Sequence, residues 1–239
     1  MGLIIGLDLD DTLIPTAREY HRVMWQCGAI IDAALGVRSP HPKDIIDVQQ
    51  RTDMAAIPVH GYATHRFGES WVQAYEHFAR EFAVEVDPAV IVQLRECALG
   101  FTRGPFIPFS GAQETLAQLE TAGHELHCIT ACEGAEGFQN QKILLSGLSP
   151  YFTSVRMTSS DKTEAMRDVF VDPARSIMVG DSKLHDIVPA LALGVHAVWI
   201  PSTSWSFIHA DVDSSTHGTI RSIPELPEYL RQHLHLPLA

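Results

Sequence analysis

Basic residues are scarce in this chain: 17 Lys and Arg stand against 29 Asp and Glu, a formal net charge of −12. That balance lacks the electrostatic footprint of a nucleic-acid binder, so no nucleic-acid partner is expected. It does not exclude an anionic substrate, because a bound cation reverses the sign locally. A phosphate substrate would therefore require the sequence to supply a cation site. Cysteine is scarce too. Cys27, Cys97, Cys128 and Cys132 form no Cys-x-x-Cys pair and no zinc-like spacing, which leaves reduced core thiols. Cys132 is the thiol to watch for oxidation, because it follows a proposed active-site turn. Long apolar runs are missing: the stretch Ala190–Ile200 is broken by His196 and is too short to span a bilayer. Met-Gly-Leu-Ile-Ile-Gly-Leu at the start has neither a basic region nor a cleavage pattern, so no signal peptide is expected. The expected location is the cytoplasm, with no membrane partner. There is no internal repeat and no low-complexity tract. What is present is 239 residues, 46% apolar and 19% charged, enough for one domain or for a core domain carrying an insert.

Leu3–Leu7 is a short apolar run ending abruptly at Asp8, the pattern of a strand buried on both faces. Similar runs recur at Glu125–Ile129, Ser176–Val179 and His196–Ile200, with a weaker one near Thr153–Met157. Helical patterns lie between them at Ala112–Ala122, Ala135–Ser146, Lys162–Phe170 and Leu184–Leu193, and Gly123, Gly147 and Gly194 fall where helix C-caps are expected. This alternation predicts an α/β fold, a Rossmann-like parallel sheet with helices on both faces. From about Thr16 to Phe101 the pattern is helical only: Tyr20–Leu35, Ile45–Ala56, Ser70–Phe82 and Ala89–Leu99. Trp71, Tyr75, Phe78 and Phe82 mark one apolar helix face there, read as a core stripe. The predicted organisation is an α/β core of residues 1–15 and 105–239, with residues 16–104 inserted as an all-helical cap. Thr102–Pro108 has the Gly/Pro composition of a hinge. The tail predicts a strand at Thr219–Arg221 and a short helix from Pro224 to about His233.

Asp8-Leu9-Asp10-Asp11-Thr12 directly follows the first strand. Ligands of open parallel sheets bind at the carboxyl ends of strands, so these side chains start in the right place. Asp-x-Asp-x-Thr arises by chance in ~4% of chains of this length, so it identifies nothing by itself. A second acidic pair follows another buried strand in Gly180-Asp181-Ser182-Lys183-Leu184-His185-Asp186. Paired carboxylates at two strand ends make an oxygen site for a hard cation, with Mg2+ the natural occupant. Thr130 ends another strand with a hydroxyl able to donate to a phosphate oxygen. Asp161-Lys162-Thr163-Glu164 reads as a helix start, with Asp161 as N-cap, Glu164 in the capping-box position and Lys162 in the first turn, where anions are favoured.

These four elements, in this order, resemble the haloacid dehalogenase superfamily of hydrolases: Asp8–Thr12 matches its first motif, Thr130 the second, Lys162 the third and Gly180-Asp181 through Asp186 the fourth. The resemblance covers roughly residues 1–15 and 105–200. It implies that Asp8 is the nucleophile, forming an aspartyl-phosphate, and that Asp10 is the general acid and then base. It further implies that Thr130 and Lys162 hold the phosphoryl oxygens and that Thr12 supports the loop around Asp8. Magnesium would be bound by Asp8, the backbone carbonyl of Asp10, Asp181 and Asp186, the last directly or through water. Ala131 stands where many relatives have Asn, and Thr163 where many have Pro.

Within the superfamily, Asp10 argues for phosphoester chemistry, since the dehalogenases and phosphonatases lack an acid there. The expectation is a magnesium-dependent phosphatase, a phosphoric monoester hydrolase acting on a small phosphorylated metabolite. A phosphomutase on a sugar phosphate and a catalytically inert ligand-binding homologue remain as alternatives. Arg51, Arg66 and Arg103 could reach a second anionic group, and His60, His65, Trp205 and His209 are further candidate rim contacts. Surface or packing roles compete for each of them, and the sequence gives no oligomeric state.

Overall fold

In the computed structural model, which describes residues 2–132, 134–159, 161–202, 213 and 215–233, β1 (Ile4–Leu7) leads into four consecutive helices: α1 (Thr16–Leu35), α2 (Pro42–His60), α3 (Thr64–Glu81) and α4 (Pro88–Ala98). Strand and helix then alternate through α5 (Ala112–Thr121), β2 (Glu125–Ala131), α6 (Glu136–Leu145), β3 (Ser154–Thr158), α7 (Thr163–Val169), β4 (Ser176–Gly180), α8 (Val188–Ala192) and β5 (His196–Trp199). β6 (Gly218–Thr219) and α9 (Leu226–His233) follow. The six strands form one sheet in the order β3-β2-β1-β4-β5-β6, and every neighbouring pair is parallel.

The order places β1 between β2 and β4, in the middle of the sheet. Along β1 the side chains alternate between two cores: Leu3, Ile5 and Leu7 pack into one cluster, while Ile4 faces the other, with Ile129, Met178 and Ala197. Burial on both faces is why each central strand reads as a continuous apolar run rather than an alternation. The glycines expected to end helices do so by taking positive φ: Gly123, Gly147 and Gly194 sit at 81°, 73° and 71°.

The chain divides into two compact units. One contains Met1–Ala17, Pro105–Cys132 and Gln139–Ala239, and the other contains Arg18–Gly104 and Glu133–Phe138. The second unit is helical throughout its described regular elements and has its own core, in which Val23, Cys27, Ile31 and Leu35 of α1 meet Phe67, Trp71, Tyr75 and Phe78 of α3. The aromatic series of α3 is thus a packing stripe, with Phe82 partly buried at its end. Among the described residues no helix is long and apolar enough to cross a membrane.

Two local expectations are corrected. The helix expected over Leu184–Leu193 starts as a π-helical turn at Lys183–Ile187 and becomes α-helical only from Val188. Ser182 heads it, its hydroxyl accepting the His185 N–H at 3.2 Å while its carbonyl accepts from the Asp186 and Ile187 amides. The expected capping box at Asp161–Glu164 does not form. Lys162 itself is the N-cap of α7, the Asp161 side chain accepts the Thr163 N–H from one position earlier, and the Glu164 carboxylate pairs with Arg167.

Candidate active site at the carboxyl ends of β1, β2 and β4

The ladder of β1 continues one residue past the strand, with the Asp8 N–H donating to the Val179 carbonyl of β4 at 2.9 Å. The chain then turns sharply. Leu9 and Leu13 plug into the core with no exposure, and the Leu9 carbonyl accepts the N–H groups of both Leu13 and Ile14. Asp11 takes a left-handed conformation with φ 59°, its N–H donating to the Ile14 carbonyl. Its carboxylate caps the start of α1 by accepting the Ala17 N–H at 2.9 Å. Thr12 is buried, and its hydroxyl finds no hydrogen-bond partner among the described residues. The visible support of this loop is therefore Asp11 with the two leucines, and the Thr12 hydroxyl adds no hydrogen bond to it.

Asp8, Asp181 and Asp186 converge here: one carboxylate oxygen from each lies within 4.8 Å of the others. Asp186 is fully buried, reached by the π-helical turn, and its Oδ2 accepts the Ser182 N–H at 3.0 Å. Gly180 permits this approach, because a Cβ at that position would overlap the Asp186 carboxylate. Lys162 Nζ lies between the carboxylates, 2.6 Å from Asp8 Oδ1 and 2.7 Å from Asp186 Oδ1. Within this group three carboxylates face one ammonium.

The electrostatics follow from that imbalance. Burial raises the pKa of Asp8, and Asp186 and Asp10 add to the rise although Lys162 opposes it, leaving Asp8 at about 7. Burial together with Asp8, Asp186 and Asp11 pushes Asp181 to about 9. Burial disfavours the charge on Lys162, but Asp186 and Asp8 outweigh it and hold its pKa above that of an ordinary lysine. A site that raises carboxylate pKa values in this way is short of positive charge, and hard oxygen donors in that arrangement suit a divalent cation such as magnesium.

The Asp10 carboxylate is not part of this trio. Its Oδ1 takes the Lys142 ammonium and the Thr16 hydroxyl, and its Oδ2 accepts from Gln139 Nε2 at 2.7 Å. Burial alone would raise its pKa, but the Lys142 charge and the hydrogen bonds from Lys142, Thr16 and Gln139 win and hold it below the ordinary aspartate value. Thr130 is buried near the end of β2, where its hydroxyl oxygen accepts from Gln139 at 2.6 Å. Asp8, Lys162, Asp181 and Asp186 are thus brought together from the ends of β1 and β4 and the start of α7, while Thr130 at the end of β2 is linked through Gln139 to Asp10.

A family model described as a hydrolase, haloacid dehalogenase-like hydrolase, matches residues 4–194. The chain belongs to that family. This hydrolase is similar in structure to a haloacid dehalogenase-like family hydrolase from Xanthomonas campestris, at 23% identity over 97% of this chain and 95% of the other, with a TM-score of 0.74. It is also similar to L-2-haloacid dehalogenase from Xanthobacter autotrophicus (15% identity, 98% and 100% coverage, TM-score 0.59). A third likeness is to a HAD phosphatase from Thermococcus onnurineus (18% identity, 96% and 98% coverage, TM-score 0.57). No curated protein matches the chain. At these identities the structural likenesses establish the fold of the hydrolase.

Other sequence candidates are placed elsewhere. Arg66 is buried within the helical unit, where it forms an ion pair with Asp53, so it is a packing cation and is not available to a second anionic group. Arg51, Arg103, His60 and His65 are exposed. Trp205 and His209 lie outside the described residues. Cys132 is buried, which shields it from the oxidation its sequence position suggested. Sequence reasoning missed Gln139 and Lys142, and a signal for both was present. Ala135, Gln139, Lys142, Ile143 and Ser146 recur at helical spacing and are all buried, so two polar residues occupy core-stripe positions of α6.

Proposed function

We propose that the hydrolase is a magnesium-dependent phosphatase acting on a small phosphorylated metabolite through an aspartyl-phosphate at Asp8. The observation that carries this reading is the convergence of Asp181 and Asp186 on Asp8. An enzyme displacing halide from carbon needs an attacking carboxylate and a base for the water that hydrolyses the ester, but no cation, and three carboxylates together without one would repel a 2-haloacid's own carboxylate. With a cation bound, the same cluster attracts a phosphate. Magnesium, held by Asp8, Asp181, Asp186 and the Asp10 backbone carbonyl, would neutralise phosphoryl charge.

The chain's own groups supply the remaining chemistry. The Asp8 carboxylate attacks phosphorus in line, while Lys162 and the Thr130 hydroxyl hold the phosphoryl oxygens. The P–O bond to the leaving group breaks and its electron pair goes to the leaving oxygen, which takes a proton from Asp10. A phosphate dianion arriving beside Asp10 opposes the Lys142 charge and raises the carboxyl pKa, which favours loading of that proton. Asp10 then takes a proton from the water that hydrolyses the acyl-phosphate, regenerating Asp8.

A panel of small phosphate esters and 2-haloacids, assayed for phosphate and halide release with magnesium and with chelator, tests the reading. Phosphate release that needs magnesium, with no halide release, is the expected outcome. Halide release, or chelator-insensitive turnover, would overturn it.

A further inference from the structure

The buried face of α6 carries an ammonium and a carboxamide where a helix of this fold would ordinarily place apolar side chains. Lys142 and Gln139 are each 2% exposed. Stability alone does not account for them, because exchanging a buried ion pair for apolar groups is often neutral or stabilising. Both point at the same target. Lys142 Nζ and Thr16 Oγ1 donate to Asp10 Oδ1, and Gln139 Nε2 donates to Asp10 Oδ2 at 2.7 Å, so both carboxylate oxygens are held.

Gln139 does a second thing. Its amide nitrogen carries two hydrogens, and both are used: one goes to Asp10 and the other to Thr130 Oγ1 at 2.6 Å. Because the Thr130 oxygen accepts that bond, its own O–H must be directed elsewhere as a donor. A single side chain therefore orients both the Asp10 carboxylate and the Thr130 hydroxyl, the groups to which the phosphatase reading gives the leaving-group proton and a phosphoryl oxygen.

We propose that Lys142 and Gln139 are positioning residues of this hydrolase, locking the Asp10 carboxylate against α6 and tying its placement to that of Thr130. The proposal rests on the phosphatase reading for its kinetic consequence, while the placement of Asp10 can be judged independently. Lys142→Met keeps the length of the side chain and removes the charge. The Asp10 side chain is 29% exposed, so water can replace the lost partner and the variant should fold.

Two substrates separate the steps. A nitrophenolate leaves without a proton, whereas an alkoxide does not. With an alkyl phosphate, Lys142→Met should lose about 100-fold or more in kcat/KM, the usual cost of a displaced acid–base group. With p-nitrophenyl phosphate it should still show a one-equivalent burst at a rate within about threefold of wild type, followed by slow turnover, because only the hydrolytic half-reaction then needs Asp10. Gln139→Leu should show the same split and, in addition, a slower burst through misdirected Thr130. A structural role would lower burst and steady-state rates together for both esters, and that result overturns the proposal. A crystal structure of Lys142→Met provides the independent check. The Asp10 side chain should leave the Thr16 and Gln139 contacts, and finding it unmoved refutes positioning even if the wild-type protein hydrolyses no phosphate ester.

Discussion

Asp8→Asn should abolish turnover of phosphate esters, with a loss of about 10⁴-fold or more, the order seen when the nucleophile of a covalent mechanism is removed. The asparagine amide is isosteric but is a far poorer nucleophile, and it withdraws one of the three anionic groups at the cation cluster. The loss should not come from unfolding. The wild-type carboxylate sits beside Asp181 and Asp186, and that repulsion helps raise its pKa to about 7. Neutralising it relieves the repulsion and leaves Lys162 paired with Asp186 at 2.7 Å. The variant should therefore melt cooperatively, within a few degrees of wild type in magnesium-free buffer. Comparing its phosphate release and thermal unfolding with those of wild type checks both statements, and a residual rate within tenfold of wild type would remove Asp8 from the nucleophile's role.

Lys162→Met should have the largest effect on stability. Lys162 is 3% exposed and neutralises both Asp8 and Asp186. Removing it leaves the buried carboxylates of Asp8 and Asp186, with the half-buried Asp181 beside them, without a counter-ion at the cluster, a loss on the order of 3–5 kcal/mol by analogy with other broken buried ion pairs. For a chain of this size that corresponds to a fall in Tm of roughly 6–20 °C. The pH dependence has a definite sign. A carboxylate whose pKa is raised in the folded state binds more protons folded than unfolded, so its effect on stability worsens as pH rises. In the metal-free wild-type protein the window runs from the ordinary aspartate value of 3.8 up to about 7 for Asp8 and about 9 for Asp181. Without Lys162 both values move higher still, so the stability deficit should be small near pH 5 and large near pH 8. Added magnesium supplies the missing positive charge and should recover part of it, by about 2.7 kcal/mol at a hundredfold excess over Kd. Thermal denaturation at the two pH values, with and without magnesium, measures all of this. A deficit that grows on acidification would contradict the electrostatic account.

Much of the fold was legible because burial on both faces of a parallel sheet leaves a plain trace. Ile4–Leu7, Ser176–Gly180 and His196–Trp199 are short apolar runs ending within a residue or two of where the sequence pattern ends them. Asp8 and Asp181 stand out because a charge directly after such a run marks a strand end. Contacts that depend on turn geometry were hidden. The capping box failed at Asp161 because the chain enters α7 one residue later, leaving Lys162 as cap with its side chain turned into the carboxylates. The π-helical turn that delivers Asp186 has no composition signature, since it depends on where one carbonyl, that of Ser182, finds its donors. Arg66 looked like a candidate for an anion until its partner Asp53, 13 positions earlier in the chain, was placed beside it in the helical unit's interior. Gln139 and Lys142 escape a search for apolar periodicity because each is a polar residue whose partner, Asp10, lies 129 and 132 positions away in the chain.

Chemical trapping of the acyl-phosphate decides whether Asp8 is the nucleophile. The protein would be mixed with magnesium and a turnover substrate, quenched in acid within the burst phase and reduced with borohydride, which converts an aspartyl-phosphate to homoserine. The reduced position would then be located by peptide mass spectrometry. The account predicts homoserine at position 8 and nowhere else, with its yield abolished by chelator. Reduction at another aspartate, or turnover with no reducible intermediate under conditions where a control acyl-phosphate is captured, would contradict it.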